Sequence, residues 1–267
     1  MARRNRLDAE LVRRGLARSR DHAAALVAAG QVEIRGIAAR KPAALVDPAD
    51  PVRLVGEKPG ETYVSRGASK LAGALAEFGP RGLAVPGRRC LDAGASTGGF
   101  TEVLLRAGAA SVAAVDVGYG QLAWSLRTDT RVLVLERQNV RGLTPAMIGG
   151  PVELTVADLS FISLRLVLPA LIACTVPDGD LVPMVKPQFE VGKDRVGAGG
   201  VVRDPALRAD AVLSVAAAAG SLGFGVAGVA VSPLPGPAGN VEFFLWLRRG
   251  APPVDEAEVC RVTGGES

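Results

Sequence analysis

Residues 89–105, RCLDAGASTGGFTEVLL, decide the fold, because they predict a buried strand, a glycine-rich turn and the start of a helix. Glycines at positions 94, 98 and 99 let the backbone turn sharply and approach a ligand that a Cβ would block. The stretch therefore predicts an α/β fold with a nucleotide-cofactor site. A glycine turn that merely connects a strand to a helix is the alternative.

The order of residues in this loop discriminates between cofactors. A dinucleotide fingerprint reads G-x-G-x-x-G and presents a helix N-terminus to a pyrophosphate, whereas this loop reads G-x-x-x-G-G after Asp92 and Ala93. That form resembles methyltransferases that use S-adenosylmethionine, which has no phosphate. A second strand, 111–115, ends at Asp116, where a carboxylate can hold ribose hydroxyls. We expect the cofactor to contact Asp92, Gly94, Ser96, Thr97, Gly98, Gly99 and Asp116, with Asn139 near adenine.

Composition predicts a large domain joined to a small one. The chain has 267 residues, and 48% of them are hydrophobic but only 4% are aromatic, so the core must be built from Ala, Val and Leu. Three distant cysteines and a single histidine, His22, argue against a disulfide framework, a metal site and a histidine triad. We expect no metal and a reducing, cytoplasmic location.

Residues 211–231 are uncharged and long enough to raise the alternative of a membrane span. Glycines at 220, 223, 225 and 228 interrupt the stretch, which favours a helix, a turn and a buried strand. The arginine-rich N-terminus is followed by no apolar segment, so no secretory signal is predicted.

The N-terminus carries most of the positive charge. Seven arginines in the first 20 residues face only Asp8 and Glu10, a net charge of +5 against +4 for the whole chain. Clustered arginine is typical of a phosphate-backbone partner, although a solvated helix face is the alternative. Leu7, Leu11, Leu26 and Val27 predict two short helices that end near Gly15 and Gly30, and residues 31–36 alternate like a strand. This pattern resembles the S4 RNA-binding domain.

Domain boundaries follow from composition. We predict an S4-like α+β domain at 1–60, a linker at 61–66 within a Pro- and Gly-rich region, a catalytic domain at 67–250 and a flexible tail at 251–267. Lys70 falls in the first turn of a predicted helix, where a positive charge opposes the helix dipole, so we take it as placed for function.

Beyond Asp116, strands alternate with helices, as in a parallel sheet with crossover helices. Strand 154–157 ends at Asp158, strand 181–185 ends at Lys186, and an edge or antiparallel strand at 240–247 carries Glu242. Catalytic groups in such sheets gather at the carboxyl ends of strands.

The chain resembles the TlyA family of ribosomal RNA ribose 2′-O-methyltransferases over residues 1 to about 248. The resemblance rests on DAGASTGGFTEVLL, VDVGYGQLAW, ADLSFISL, VKPQFEVGK and PLPGPAGNVE. It implies a Rossmann-like class I fold with a mostly parallel seven-stranded sheet and a Lys-Asp-Lys-Glu tetrad at Lys70, Asp158, Lys186 and Glu242. It also implies cytidine targets in 16S and 23S rRNA within 30S and 50S subunits, a monomeric enzyme, and sensitivity to capreomycin and viomycin.

The chemistry requires a base for the ribose hydroxyl, and we assign Lys186 to it, with Lys70 and Asp158 orienting it and Glu242 holding the ribose or Lys70. Methylation of a base amino group competes, but the [DN]-P-P-[FY] element it uses is replaced by Asp158-Leu159-Ser160-Phe161. Tyr119 is expected to stack on a flipped base. The residues predicted to contact RNA are Arg4, Arg6, Arg18, Arg20, Lys41, Arg66, Tyr119, Arg137, Arg141 and Lys193.

Two functions from other classes stay open. The family has also been called haemolysin, and the 211–231 segment is the sequence feature that would support membrane lysis. A non-catalytic S4-type RNA-binding module is the other, and the intact tetrad argues against it.

Overall fold

The structure is a computed structural model that describes residues 5–17, 19–47, 50–54 and 63–264, without the side chains of Arg53 and Lys193. It divides the chain into two compact units, Met1–Val64 and Ser65–Ser267. The predicted sites at Arg4 and Arg18, and residues 61 and 62 of the predicted linker, therefore lie outside the described residues.

The first unit contains two helices and small antiparallel sheets. Its elements are β1 (Asn5–Arg6), α1 (Leu7–Arg13), α2 (Arg20–Ala28), β2 (Val32–Ile34), β3 (Ile37–Ala38), β4 (Leu45–Val46) and β5 (Val52–Leu54). Leu7, Leu11, Val27 and Val32 are buried together in its core. The two predicted short helices and the strand after them are thus present, and Ser19 caps α2 by accepting a hydrogen bond from the His22 backbone N–H.

The second unit is a sheet with helices packed against it. Its helices are α3 (Gly67–Phe78), α4 (Gly99–Arg106), α5 (Trp124–Arg127), α6 (Leu164–Ala173), α7 (Pro187–Glu190), α8 (Pro205–Ser221) and α9 (Glu256–Thr263). Its strands are β6 (Arg89–Ala93), β7 (Ser111–Val115), β8 (Val132–Leu135), β9 (Val152–Ala157), β10 (Thr175–Val185), β11 (Gly225–Val231) and β12 (Phe243–Arg248).

The predicted seven-stranded, mostly parallel sheet is confirmed. Its strand order is β11-β12-β10-β9-β6-β7-β8. The five strands from β10 to β8 pair in parallel, and β12 pairs antiparallel with both β10 and β11. Parallel strands covered by helices are apolar on both faces, which accounts for the Val-, Leu- and Ala-rich core. The order places the carboxyl ends of β6, β9 and β10 side by side.

Two expectations differ from the structure. Of the two alternatives for the strand that carries Glu242, the antiparallel one is confirmed, but β12 is no edge strand: it begins at Phe243 and lies inside the sheet, where side chains buried on both faces suit an internal strand. The expected flexible tail at 251–267 contains α9, whose Val259 is fully buried in the main core. The boundary between the compact units falls after Val64, within the predicted linker 61–66.

The uncharged 211–231 segment is divided between α8 and β11, as predicted. Among the described residues, no helix is both long enough and apolar enough to cross a membrane.

A buried carboxylate joins neighbouring strands near the amino ends of the parallel strands β6 and β9. Asp180 in β10 is fully buried and accepts hydrogen bonds from Arg88 Nη1 at 2.6 Å, Trp246 Nε1 at 2.7 Å and Arg248 Nε at 2.8 Å. Burial by itself would raise the pKa of Asp180, but the hydrogen bonds from Arg248, Arg88 and Trp246 outweigh it and lower that pKa. The charged carboxylate therefore stabilises the folded state.

We predict that Asp180→Asn lowers the free energy of unfolding by about 2 to 4 kcal/mol at pH 7, because two partly exposed guanidinium groups lose their carboxylate. The stabilisation from Asp180 is present above the ordinary carboxyl pKa of about 3.9 and is lost as the pH falls through the lowered folded value. Urea denaturation at several pH values measures both effects. Asp178→Asn, an exposed change in the same strand, is the control, and equal losses in both variants would contradict the assignment.

Candidate active site

The loop after β6 approaches the neighbouring strand end very closely. Gly94 has φ +90°, and a Cβ at this position would lie 2.5 Å from the carbonyl oxygen of Asp158. The Asp158 backbone N–H also donates to Ala93 O at 3.0 Å. Glycine is therefore required at position 94 both for its backbone conformation and for contact between the ends of β6 and β9.

A cavity of about 510 Å³ opens beside this contact. Four predicted cofactor residues line it, namely Gly94, Ser96, Asp116 and Asn139. The remaining lining residues are Val117, Gln121, Gln138, Val140, Asp158, Leu159, Ser160, Phe161, Ile162 and Val167. Sequence reasoning missed Gln138 and Gln121. Gln138 stood next to Asn139 just past a strand end, which is where the general rule for such sheets looks for ligands.

The chemistry of this lining fits S-adenosylmethionine. Asp116 receives hydrogen bonds from the backbone N–H groups of Ser96 at 2.8 Å and Gly118 at 2.6 Å, which hold the carboxylate at the end of β7. The residues lining the cavity include two carboxylates and apolar side chains but no lysine or arginine. Such a surface suits a cationic sulfonium and a ribose, and offers no side-chain cation to a pyrophosphate.

The other predicted cofactor residues do not line the cavity. A Cβ on Gly98 would collide with Leu126 and Leu122, and one on Gly99 would collide with Ser65 and the backbone of Ala68. These glycines thus permit close packing around the N-terminus of α4. Thr97 is exposed beside them, and its backbone carbonyl accepts a hydrogen bond from Ala123.

Asp92 is buried beneath the loop instead of facing the cavity. Its Oδ2 accepts a hydrogen bond from Thr101 Oγ1 at 2.6 Å, while its Oδ1 has no hydrogen-bond partner among the described residues. Burial raises the pKa of Asp92 to about 7, although the hydrogen bond from Thr101 opposes the rise. Asp92 therefore ties α4 to β6.

The structure brings the four predicted catalytic residues together as two ion pairs. Lys186 Nζ lies 2.6 Å from Asp158 Oδ1 and donates to Ser160 Oγ at 3.0 Å. Lys70 Nζ pairs with Glu242 Oε2, and both side chains are at most 8% exposed. Because Val185 pairs with Phe243 in the β10–β12 ladder, the next residues, Lys186 and Glu242, stand opposite each other at the strand ends.

Close packing of α3 brings Lys70 to this edge. A Cβ on Gly73, one turn after Lys70, would lie 2.7 Å from Pro233 Cγ. The absence of that Cβ lets α3 lie against the loop that leads into Glu242. Lys70 lies in the first turn of α3, as predicted, and its partner is Glu242, a carboxylate that precedes β12.

Two of the predicted RNA residues of the second unit contact each other. The guanidinium carbon of Arg137 lies 4.3 Å from the ring centroid of Tyr119, which is 67% exposed. Arg66 and Arg141 are exposed. The backbone of Lys193 is described, but its side chain lies outside the described atoms.

In the first unit, one buried carboxylate holds two of the predicted arginines. Asp8 is 5% exposed and pairs with both Arg6, at 2.8 Å, and Arg20, at 3.1 Å. The hydrogen bond from Arg6 holds the pKa of Asp8 well below its usual range. Lys41 is exposed. Arg6 and Arg20 are therefore oriented by the fold and keep about half of their surfaces in solvent.

Comparison with known proteins agrees with this geometry. The FtsJ-like methyltransferase family model matches residues 63–249. The 16S/23S rRNA (cytidine-2′-O)-methyltransferase TlyA of Mycobacterium tuberculosis is 65% identical over 93% of this chain and 91% of its own length. YqxC of Bacillus subtilis, described as a candidate rRNA methyltransferase, is 44% identical over 92% of this chain and 86% of its own. A solved structure from Streptococcus thermophilus, described as a candidate hemolysin, has 39% identity and a TM-score of 0.75, and covers 99% of this chain and 96% of that chain.

We predict that Asp92→Asn is more stable than the wild type near pH 7, in protein free of cofactor. Because the folded-state pKa is raised, the unfolded wild-type chain releases this proton from about pH 4 upward while the folded chain keeps it until about pH 7. The wild type therefore loses stability over that window, and the variant does not share this loss. Urea denaturation from pH 4 to pH 8 measures the difference. It should shrink toward pH 4 and be absent in the exposed control Asp178→Asn.

We also predict that Glu242→Gln destabilises the fold by about 3 to 5 kcal/mol, because it leaves the buried Lys70 ammonium without a counter-charge. The double variant Lys70→Met/Glu242→Leu removes both charges and should recover most of the loss. Urea midpoints of the three proteins test this coupling. A double variant no more stable than Glu242→Gln would show that the cost arises from packing and not from the unpaired charge.

Proposed function

The chain belongs to the FtsJ-like methyltransferase family, so it is an S-adenosylmethionine-dependent enzyme, and we propose that it methylates the ribose 2′-hydroxyl of cytidine in ribosomal RNA. The observation that carries this proposal is the position of Lys186. Its ammonium contacts Asp158 and Ser160, and both of these residues line the cofactor cavity. An amine beside the methyl donor is where a base for a ribose hydroxyl has to be.

We assign the chemical roles as follows. S-adenosylmethionine, when bound, supplies a methyl group on a sulfonium that a ribose oxygen can attack. Lys186 in its neutral form takes the proton of the 2′-hydroxyl, and Asp158 stabilises the ammonium that results. Glu242, which stands opposite Lys186 at the strand ends, neutralises Lys70, and in this proposal the pair positions the target ribose.

The cavity-lining Asp116 would hold the ribose hydroxyls of the cofactor, and Asn139 and Gln138 offer amides to adenine. Gly94 leaves the backbone open to the ligand. Asp92, Thr97, Gly98 and Gly99 act on cofactor binding through the shape of the loop, in this proposal.

Support for the finer points of the substrate comes from the relative in M. tuberculosis, which is named for both 16S and 23S rRNA. We propose that this chain also acts on both 30S and 50S subunits, as a cytoplasmic monomer, and that its methylation sensitises ribosomes to capreomycin and viomycin. Supporting features are the 65% identity and coverage of 91% of that relative.

We propose that Met1–Val64 is an S4-like RNA-binding domain. Two helices, two small antiparallel sheets and two arginines oriented by the buried Asp8 support this assignment. Contacts from Arg6, Arg20 and Lys41 to phosphates would recognise shape rather than sequence. In the second unit, Arg66, Arg137, Arg141, Lys193 and the exposed ring of Tyr119 would hold the RNA around an extruded nucleotide.

The test is to incubate the protein with methyl-labelled S-adenosylmethionine and with unmodified 30S and 50S subunits separately. The RNA is then digested to nucleosides, and the label is located by mass spectrometry. We expect 2′-O-methylcytidine from both subunits, and a loss of turnover of about 100-fold or more in Lys186→Ala, because general-base catalysis contributes that much.

Lys41→Ala is the matched control, because it removes a lysine outside the tetrad, one that we propose contacts phosphate. It should weaken RNA binding by a factor that shrinks as salt rises, because one phosphate contact fewer lowers the salt dependence, while turnover at saturating RNA is kept. Label on a nucleobase would overturn the tetrad assignment. Ribosome binding without any methyl transfer, and indifferent to the cofactor, would favour the binding-module alternative.

A further inference from the structure

At the catalytic edge, the loop after β9 contacts the segment that follows β10 at three successive places. Lys186 pairs with Asp158 and donates to Ser160. Next, the rings of Phe189 and Phe161 contact each other with centroids 5.3 Å apart. We call the residues that join the loop after β9 to Lys186 and α7 the loop clasp.

Glu190 makes the third contact of the loop clasp. It accepts hydrogen bonds from Ser163 Oγ at 2.6 Å and from the Leu164 backbone N–H at 2.7 Å, at the N-terminus of α6. Glu190 itself is buried, so this cap is shielded from water. The segment that carries Ser160 is therefore held at both of its ends.

The backbone inside the loop clasp is strained. Phe161 has φ +62° and is 91% exposed, although a bulky side chain rarely adopts the left-handed conformation. Such strain persists only where surrounding contacts determine the conformation. The position of Ser160, immediately before Phe161, is thus imposed by the fold.

Ser160 has a contact that the tetrad does not include. It is exposed and lines the cofactor cavity, and its oxygen accepts a hydrogen bond from the Lys186 ammonium. An ammonium has three donors; the hydrogen bond to Ser160 gives one of them a fixed direction, and the ion pair with Asp158 holds the charge in place. A base fixed in this way can be aimed at one hydroxyl of the substrate.

We propose that Ser160 is a positioning residue for Lys186, an inference that rests on the proposed function. Its oxygen accepts a hydrogen bond from the ammonium form and, with the ion pair to Asp158, fixes the direction of the amine beside these two cavity-lining residues. In the reaction, the 2′-hydroxyl proton passes to Lys186 Nζ, the oxygen forms its bond to the methyl carbon, and the electrons of the broken carbon–sulfur bond stay on sulfur. Ser160 gains and loses no proton.

The charged groups around Lys186 give the expected sign of the pH effect. Asp158 faces the amine from β9, Glu242 stands opposite it before β12, and Lys70 on α3 is paired with Glu242. These groups stay in place when Ser160 loses its hydroxyl. Removing one acceptor from the ammonium disfavours the protonated form, so the neutral base should appear at lower pH.

The experiment measures kcat/KM for methyl transfer against pH in the wild type, Ser160→Ala, Ser160→Cys and Ser160→Thr. In Ser160→Ala we expect the acid limb to move down by about 0.5 to 1 pH unit, as the loss of one net hydrogen bond predicts. The plateau should fall about tenfold because the amine is less well aimed. Cysteine, a poor acceptor, should behave like alanine, and threonine should restore both values.

Ser163→Ala is the matched control, since it loosens the loop clasp at Glu190 without touching Lys186. It should leave the acid limb where it is in the wild type. An unchanged limb in Ser160→Ala, an equal shift in Ser163→Ala, or no restoration by threonine would each overturn the proposal.

A second readout separates this inference from the proposed function. Lysine labelled with ¹³C at Cε can be titrated by NMR in the protein alone, with the Lys186 signal assigned by its loss in Lys186→Ala. A downward shift of its titration in Ser160→Ala supports the contact even if no ribosomal RNA is methylated, and an unchanged titration overturns it. Absence of methyl transfer by the wild type would instead count against the proposed function.

Discussion

The parallel pairing of β6, β9 and β10 is the constraint on which the active site depends. It aligns the carboxyl ends of three strands, so that Gly94, Asp158 and Lys186 follow neighbouring strands at one edge. The antiparallel β12 runs in the opposite direction, and its amino end therefore meets the same edge and brings Glu242 there. The reversed direction of β12 thus adds Glu242 to the three residues that follow the parallel strands.

Burial determines how each charge at this edge is balanced. Lys70 and Glu242 neutralise each other where almost no water reaches them, whereas Asp158 is 23% exposed and lines the cofactor cavity, with Lys186 paired to it. Asp92 is fully buried without a cationic partner among the described residues, and burial raises its pKa. In the proposed mechanism, the buried pair is structural, while the pair beside the cavity exchanges a proton with the substrate. Asp92, in β6, and Asp158, after β9, both lie near the end of a parallel strand, but their surroundings differ, and so do the roles we assign to them.

Sequence was sufficient for the sheet and for the edge where the chemistry lies, because apolar strands followed by polar residues carry a strong local signal. It was not sufficient for the roles of Asp92, Gly98 and Gly99, since a glycine-rich loop looks the same whether its glycines admit a ligand or the side chains of Leu122 and Leu126. It also missed α9, because a short amphipathic helix after two prolines resembles a tail until its docking surface is known. Ser160 was overlooked because its contact with Lys186 joins residues 26 positions apart.

The N-terminal arginines illustrate why a count of charges does not give the charge that a partner meets. Asp8 and Glu10 are both buried, and they bind Arg6 with Arg20, and Arg13 with Arg14, respectively. Each carboxylate therefore cancels one charge of two while it fixes the direction of both guanidinium groups. Arg6, Arg13 and Arg20 remain about half exposed, so they can still donate to phosphate. Because ordering a flexible arginine costs conformational entropy on binding, arginines already held by buried acids favour recognition of a rigid phosphate arrangement over maximal electrostatic attraction.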